Sequence, residues 1–291
     1  MCFDLEPDLD NANVGTQSAI EGLYSLWIKA FYMAVRFILR RKGHDKLYPI
    51  GAILILILLW QLASSLGWIH TLSIPAPIKI ITALFTESSL LIHHLLYTLY
   101  EGLMGIVTSI VLAMIIALIM DLSETVRRTL YPLLVVSQTV PIIVLAPLFA
   151  MWFGFGILPK IVVVTLVCFF PITVSIAEGL SSVDTELIDL MKTMNATPLQ
   201  IFTKVKLPAS MIHFFSGLKI AVTYSIMGAI IGEWMGGVAG LGVYMMRVKN
   251  SFAYDKMFAA ILLVSVVSLL IFKAIEALQY AAMPWQKYDK P

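Results

Sequence analysis

The sequence predicts an all-α polytopic membrane protein with six transmembrane helices. Hydrophobic residues fill 59% of its 291 positions and charged residues only 13%. Mean hydropathy is +0.89, well above what a soluble domain of this length needs. Several runs approach twenty apolar residues, the length that crosses a hydrocarbon core of about 30 Å. The weaker alternating pattern of a membrane β-barrel is absent. Cys2 and Cys168 make neither a disulfide framework nor metal-ligand spacing. No metal or catalytic constellation and no nucleic-acid partner are expected, and the net charge of +2 says little about partners.

Residues 1–20 carry Asp4, Glu6, Asp8 and Asp10. They read as a disordered acidic tail, since a secretory signal needs a basic leader and an apolar core. Residues 21–47 read as an amphipathic interfacial helix. Glu21, Ser25, Lys29, Arg36 and Arg40 share one stripe, with Leu23, Trp27, Phe31 and Ile38 opposite. A poor first span is the alternative, at the cost of Lys29 and Arg36 in lipid. The membrane domain is expected over residues 48–285, with a short cytoplasmic tail at 286–291.

The first span is placed at about Tyr48 to Ile69. Residues 78–97 look amphipathic and membrane-hugging, with His93 and His94 near a water boundary. The second span covers about Thr98 to Met120. The third runs from Tyr131 to Phe153 and contains Ser137, Gln138, Thr139, Pro141 and Pro147. Prolines at membrane depth free backbone carbonyls, which protein or a wet cavity must satisfy. A broken helix there is a transport-pathway cue, and a packing kink is the plainer reading. The fourth span ends near Ile176. The fifth, Gly217 to Trp234, carries small residues that permit close helix approach. The loop Gly236–Gly242 is glycine-rich, but neither a preceding strand nor a Gly-Lys-Ser/Thr supports nucleotide binding. The last span covers about Phe258 to Met283.

Loop charges set the orientation. With the N-terminus inside, thirteen Lys and Arg lie in cytoplasmic segments and five outside. Both termini and the segment 184–208 are then cytoplasmic. Glu101, Lys219, Glu233, Lys273 and Glu276 fall near estimated span ends, and Lys273 and Glu276 can pair at i,i+3. Gln138, Thr139, Pro141, Thr223 and Ser225 could line a solute route or serve as ordinary interhelical contacts.

Segment 184–208 reads as two short helices with a corner. Asp184 or Thr185 can cap the first, and Leu187, Leu190, Met191 and Met194 recur at helical spacing. Asn195 tolerates the left-handed conformation that ends a helix. Thr197, Pro198 and Gln200 begin the second with a capping box. Ile201, Phe202 and Val205 give it an apolar face, and Pro208 should stop it. Such an elbow suits docking on another protein or packing on its own bundle.

The spacing of this elbow resembles the cytoplasmic coupling loop of binding-protein-dependent ABC importer permeases. That motif reads Glu-Ala-Ala, three residues, Gly, nine residues, then Ile-x-Leu-Pro. Here Asp189, Leu190 and Met191 hold the first three positions, Asn195 the glycine, and Val205, Leu207 and Pro208 the end. Ser73–Pro77, Thr98–Gly105, Pro141–Pro159 and Glu233–Gly242 also resemble the nitrate, sulfonate, taurine and bicarbonate permeases, and relatives that carry pyrimidine or flavin vitamin precursors. Glu101 stands where that group often has arginine.

The resemblance implies a type I importer permease with no catalytic residue and no cofactor of its own. ATP and Mg²⁺ would be bound by partner ABC ATPases in the cytoplasm, consistent with the lack of a Walker motif. It also implies an external binding protein, a second permease copy and an inner-membrane location. Coupling to the ATPase would fall to Asp189, Leu190, Met191, Asn195, Ile201, Phe202, Val205, Leu207 and Pro208. The competing class is a self-sufficient channel or an ion-coupled carrier, which usually buries ionisable residues mid-span. A membrane enzyme would need a nucleophile, base or metal set that the sequence lacks.

Overall fold

The computed structural model describes residues 47–67 and 74–284. The tails expected at 1–20 and 286–291, and the interfacial helix expected over 21–47 apart from Leu47, lie outside the described residues. The chain divides into two compact units, Met1–Leu66 and Gly67–Pro291. In the first, helix α1 covers Leu47–Ser65, where the first span was expected.

The second unit is a helical bundle. Its elements are α2 (Pro77–Thr86), α3 (Ser88–Leu122), α4 (Glu124–Ser137), α5 (Ile142–Phe153), α6 (Leu158–Ser181) and α7 (Thr185–Thr193). Then come the short α8 (Pro198–Ile201), a π-helical turn at Phe202–Lys206, α9 (Leu207–Trp234), α10 (Leu241–Asn250) and α11 (Tyr254–Ala282). Among the described residues there is no strand.

Four helices are long and apolar enough to cross a membrane: α3, α6, the α8–α9 run and α11. The pair α4 and α5 makes a fifth candidate, bent by 97° as a broken span or re-entrant loop. The six spans expected from the sequence are reached only by adding α1, whose apolar stretch Gly51–Ser65 is shorter than the other spans. The break at Gln138–Pro141 is where Pro141 denies α5 a preceding turn, as its prolines suggested.

Helix α6 is the hub, packed against α3 on one side and α9 on the other. Small residues allow this. A Cβ added at Gly105 of α3 would sit 2.3 Å from Val164 Cγ1 of α6. Ala113, Ala117, Val164, Cys168, Ile172, Ala221 and Ala229 fill the shared core and are fully buried. Two polar contacts stitch it. Ser109 Oγ donates to the Thr165 carbonyl at 2.8 Å, and Cys168 Sγ to the Ala221 carbonyl at 3.2 Å. Such bonds satisfy polar groups where lipid offers no partner.

Two expectations are corrected. The helix of the second span starts at Ser88, not Thr98, because α3 begins directly after Glu87; only α2 is a separate amphipathic helix. Pro208 does not stop its helix. The chain winds on from Pro198 through Trp234. In a regular helix the Pro208 ring would meet the carbonyl four residues back. The wider turn before it, where Leu207 N–H reaches back five residues to the Phe202 carbonyl, accommodates it.

Candidate functional site

Three features of the bundle can do chemistry or mechanics. The first is the elbow 184–208. Asp184 Oδ1 accepts from Glu186 N–H at 2.9 Å and begins α7. Asn195 has φ 57°, the left-handed corner expected of it. Its N–H reaches the Lys192 carbonyl at 2.9 Å, and Ala196 N–H reaches the Met191 carbonyl at 3.0 Å, so the end of α7 is closed. Thr197 and Gln200 form the expected reciprocal capping box, at 3.3 and 2.8 Å.

The elbow's two apolar faces have different fates. Ile201 is buried, and Phe202 and Val205 are half-buried, with Phe202 packed on the bundle's own core. Leu207 and Pro208 are half-buried as well, as is Met191. The outward side chains are Leu187, Leu190, Met194 and Leu199, the last two 71% exposed. Asp189 is exposed and pairs with Lys192 at 2.9 Å on its own helix. Behind the elbow, Lys206 Nζ donates to both oxygens of Asp121 at 2.7 and 3.0 Å. This bidentate pair ties the elbow to the end of α3, across a cleft of about 840 Å³ lined by Leu118, Leu122, Ile188 and Phe202.

The second feature is a cavity of about 680 Å³ where the α4–α5 break meets α6 and α9. Ser137, Gln138, Thr139 and Pro141 line it from the break, Phe170, Pro171 and Ser175 from α6, and Ile220, Tyr224 and Met227 from α9. Among the described residues no charged side chain lines it. Of the five pathway candidates, Gln138, Thr139 and Pro141 are therefore brought together. Thr223 is exposed on α9 beside the cavity, its hydroxyl donating to the Lys219 carbonyl at 3.1 Å. Ser225 faces the core and donates to the Val222 carbonyl at 2.8 Å.

The third feature was not anticipated. Where the start of α6 and the end of α9 meet α3, Lys160 Nζ donates to Glu101 Oε1 at 2.9 Å, both side chains almost wholly buried. Glu233 Oε1 accepts from Thr98 Oγ1 at 2.7 Å, and its other oxygen accepts from Gly242 N–H. Leu241 N–H donates to Thr98 Oγ1 at 2.8 Å, and Gly240 N–H to His94 Nδ1 at 3.0 Å. The glycine-rich loop is thus wrapped on a carboxylate, and His94 is buried rather than at a water boundary. Glu233 lies at the end of α9, one residue before Trp234, as expected, while Glu101 sits well inside α3; both are buried as partners of this network.

The residues of this network lie far apart in sequence, so no local motif reveals it. Its signal was charge inside apolar runs, which demands a partner. Tyr244 of α10 packs its ring 5.5 Å from that of His94. Burial, aided by Glu87 and Asp255, pushes its phenol up to about 12, so it stays a neutral hydroxyl. Lys273 and Glu276 pair at 2.6 Å as expected.

Gly240 has φ +127°, and a Cβ there would lie 2.2 Å from the Glu233 carboxyl carbon. Gly240→Ala is therefore expected to lower the amount of folded, membrane-inserted protein and its thermal midpoint. Fluorescence-detected size exclusion over a temperature ramp checks this. Gly156→Ala, where nothing lies within 4 Å of the added Cβ, should leave both unchanged.

A bundle of membrane-crossing helices with a cavity at a helix break and a capped elbow suits a solute-transport subunit. The chain belongs to the family described as the binding-protein-dependent transport system inner membrane component, which matches residues 109–282. It is 39% identical over 249 residues to the formylaminopyrimidine transport permease protein ThiX of Halalkalibacterium halodurans, covering 85% of this chain and 99% of that protein. It is 26% identical to the taurine transport system permease protein TauC of Escherichia coli, covering 81% and 88%. Identity to the riboflavin transport system permease protein RibX of Chloroflexus aurantiacus is 25%, covering 80% and 88%.

Among solved structures, the inward-facing MetNI methionine ABC transporter gives a TM-score of 0.59 at 21% identity, over 67% of this chain and 97% of that one. That likeness shows the fold. The chain is thus a multi-pass membrane protein and a permease of the ABC importer class. No group of three or more His, Cys, Asp or Glu able to hold a metal ion occurs among the described residues.

Proposed function

We propose that two copies of this permease form the translocation pathway, that two cytoplasmic ABC ATPases bind ATP and Mg²⁺ and drive it, and that an external binding protein delivers the solute. Both termini and the elbow face the cytoplasm in this reading, as the loop charges favour. ATP-driven closure of the ATPases draws the two elbows together and opens the pathway outward. The elbow suits this lever role because Ile201 and Phe202 pack inward while Leu187, Leu190 and Met194 are exposed.

The observation that carries the pathway is the cavity at the α4–α5 break. Its walls combine Phe170, Tyr224 and prolines with the amide of Gln138 and small hydroxyls. Such a site suits a small heteroaromatic solute, held by ring stacking and a few hydrogen bonds. The names of the relatives include a pyrimidine and a flavin, so a vitamin precursor is the preferred class over a sulfonate.

The test is affinity purification of the full chain from its host. An ABC ATPase should co-purify in equal ratio, and a bound ATPase should be lost from chains with Leu190→Asp and Met194→Asp. Purification without any ATPase would refute the assignment. Asp189→Ala should cost under about 1 kcal/mol of stability, because its ion pair with Lys192 is exposed. It should nonetheless lower ATP hydrolysis stimulated by the loaded binding protein. Unchanged stimulation would remove Asp189 from the coupling surface.

A further inference from the structure

Most other lysines on the long spans have an acidic partner, the exposed Lys204 of the elbow excepted. Lys160 pairs with Glu101, Lys206 at the elbow with Asp121, and Lys273 with Glu276. Lys219 is different. It lies roughly 22 Å along α9 from Trp234, at 1.5 Å per residue, inside a hydrocarbon core of about 30 Å. Among the described residues it has no hydrogen-bond or ion-pair partner, and it is only half-buried.

Its surroundings say what it faces. The α8–α9 run is the most enclosed of the spans, with 50% of its apolar window buried, against 11% for α11. Its exposed side is mixed, with Ile212, Ile220 and Met227 beside polar residues. Ser216, Lys219, Thr223 and Tyr224 recur at helical spacing on that side. Ser216 and Thr223 return their hydroxyls to backbone carbonyls at 2.9 and 3.1 Å. Lys219 has no such outlet. An unpaired cation against lipid is costly, and it belongs at a wet cavity. Ile220, next in sequence, and Tyr224, just over one turn on, line the cavity at the α4–α5 break, whose lining among the described residues carries no charge.

We propose that Lys219 sets the charge selectivity of the pathway: its ammonium stands at the rim of the otherwise neutral cavity, favours solutes that present an anionic or acceptor-rich edge, and rejects cations. This rests on the permease reading above and adds a residue to it. The solute class is then an apolar or planar body bearing an electronegative edge and no fixed positive charge. Neutrality of the cavity makes the effect large, because no second charge competes with the one at the rim.

The experiment needs no knowledge of the solute. Thr223→Cys is placed in the full chain with Cys2→Ser, in membrane vesicles holding the assembled importer. The chain without Thr223→Cys is the control, since Cys168 is fully buried. The probes are two water-soluble methanethiosulfonates, the anionic sulfonatoethyl and the cationic trimethylammonioethyl reagent. Rates are divided by those with a free thiol in solution.

The anionic reagent should react faster than the cationic one by on the order of tenfold. Lys219→Met should bring the ratio close to one, and Lys219→Arg should keep it. No reaction with either reagent would mean that this stripe faces lipid, and the proposal falls. A ratio unaffected by Lys219→Met overturns it equally. Both results leave co-purification of the ATPase untouched, so failure here is distinct from failure of the permease assignment. Retained co-purification in Lys219→Met also shows that the variant has folded.

Discussion

Lys160→Met should be the most damaging single change in the bundle. It leaves Glu101 buried without its cation, 1% exposed and among helices. Removing one partner of a buried pair costs about 3–5 kcal/mol, mostly for the charge left behind. The neighbouring Glu233 carboxylate holds loop 236–242 through Gly242 and Thr98, so the loop and α10 should loosen as well. Folded yield and thermal midpoint should both fall sharply. The double variant Lys160→Met with Glu101→Met should recover most of the loss, because an apolar pair of similar volume replaces the ions at little net cost. Recovery in the double variant measures the pair itself. If Lys160→Met is as stable as the parent chain, the buried network is not a fastening of α3 to α6.

The second large effect concerns Asn195, whose φ of 57° turns the elbow. Glycine adopts this conformation freely, asparagine at modest cost, and a β-branched residue at about 1–3 kcal/mol. The expected order for ATP-driven uptake is Asn195→Gly equal to the parent, Asn195→Ala weaker, and Asn195→Val nearly inactive with expression retained. The reason is geometric. Straightening the corner moves Leu199 away from Leu190 and Met194, so one outward face becomes two. The defect should show as lost stimulation of ATP hydrolysis with binding-protein docking intact. Equal activity of the valine variant would mean that the corner does not transmit the stroke.

Local signals were the legible ones. Apolar run length predicted the helical class, and the capping residues Asp184, Thr197 and Gln200 and the corner at Asn195 stand where short-range rules put them. The break at Pro141 was also readable, and three of the five pathway candidates lie at the cavity, because proline and amide groups are conspicuous in an apolar span. What failed involved contacts between distant segments. Pro208 was read as a stop, because the widened turn at Phe202–Lys206 leaves no mark in composition. The start of α3 was missed by ten residues, since Ser88–Tyr97 reads as amphipathic when its buried side, Leu91 and His94, is unknown. The network of Glu101, Lys160 and Glu233 needs three helices brought together, and only the presence of charge hinted at it.

Orientation within the cavity was also beyond the sequence. Thr223 and Ser225 look equivalent along the chain, yet one is exposed beside the cavity and the other packs into the core near Gly102. Helical phase relative to neighbours decides this, and the phase is set by the close approach of α9 to α6.

Uptake by reconstituted vesicles tests the central claim most directly. The chain is placed in liposomes with its co-purifying ATPase and loaded binding protein, and solute entry is followed with proton and sodium gradients collapsed. The account predicts entry that requires ATP inside, requires both partners, and is unaffected by loss of the gradients. Gradient-driven entry by this chain alone, without ATPase or ATP, would contradict it and make the protein an ion-coupled carrier.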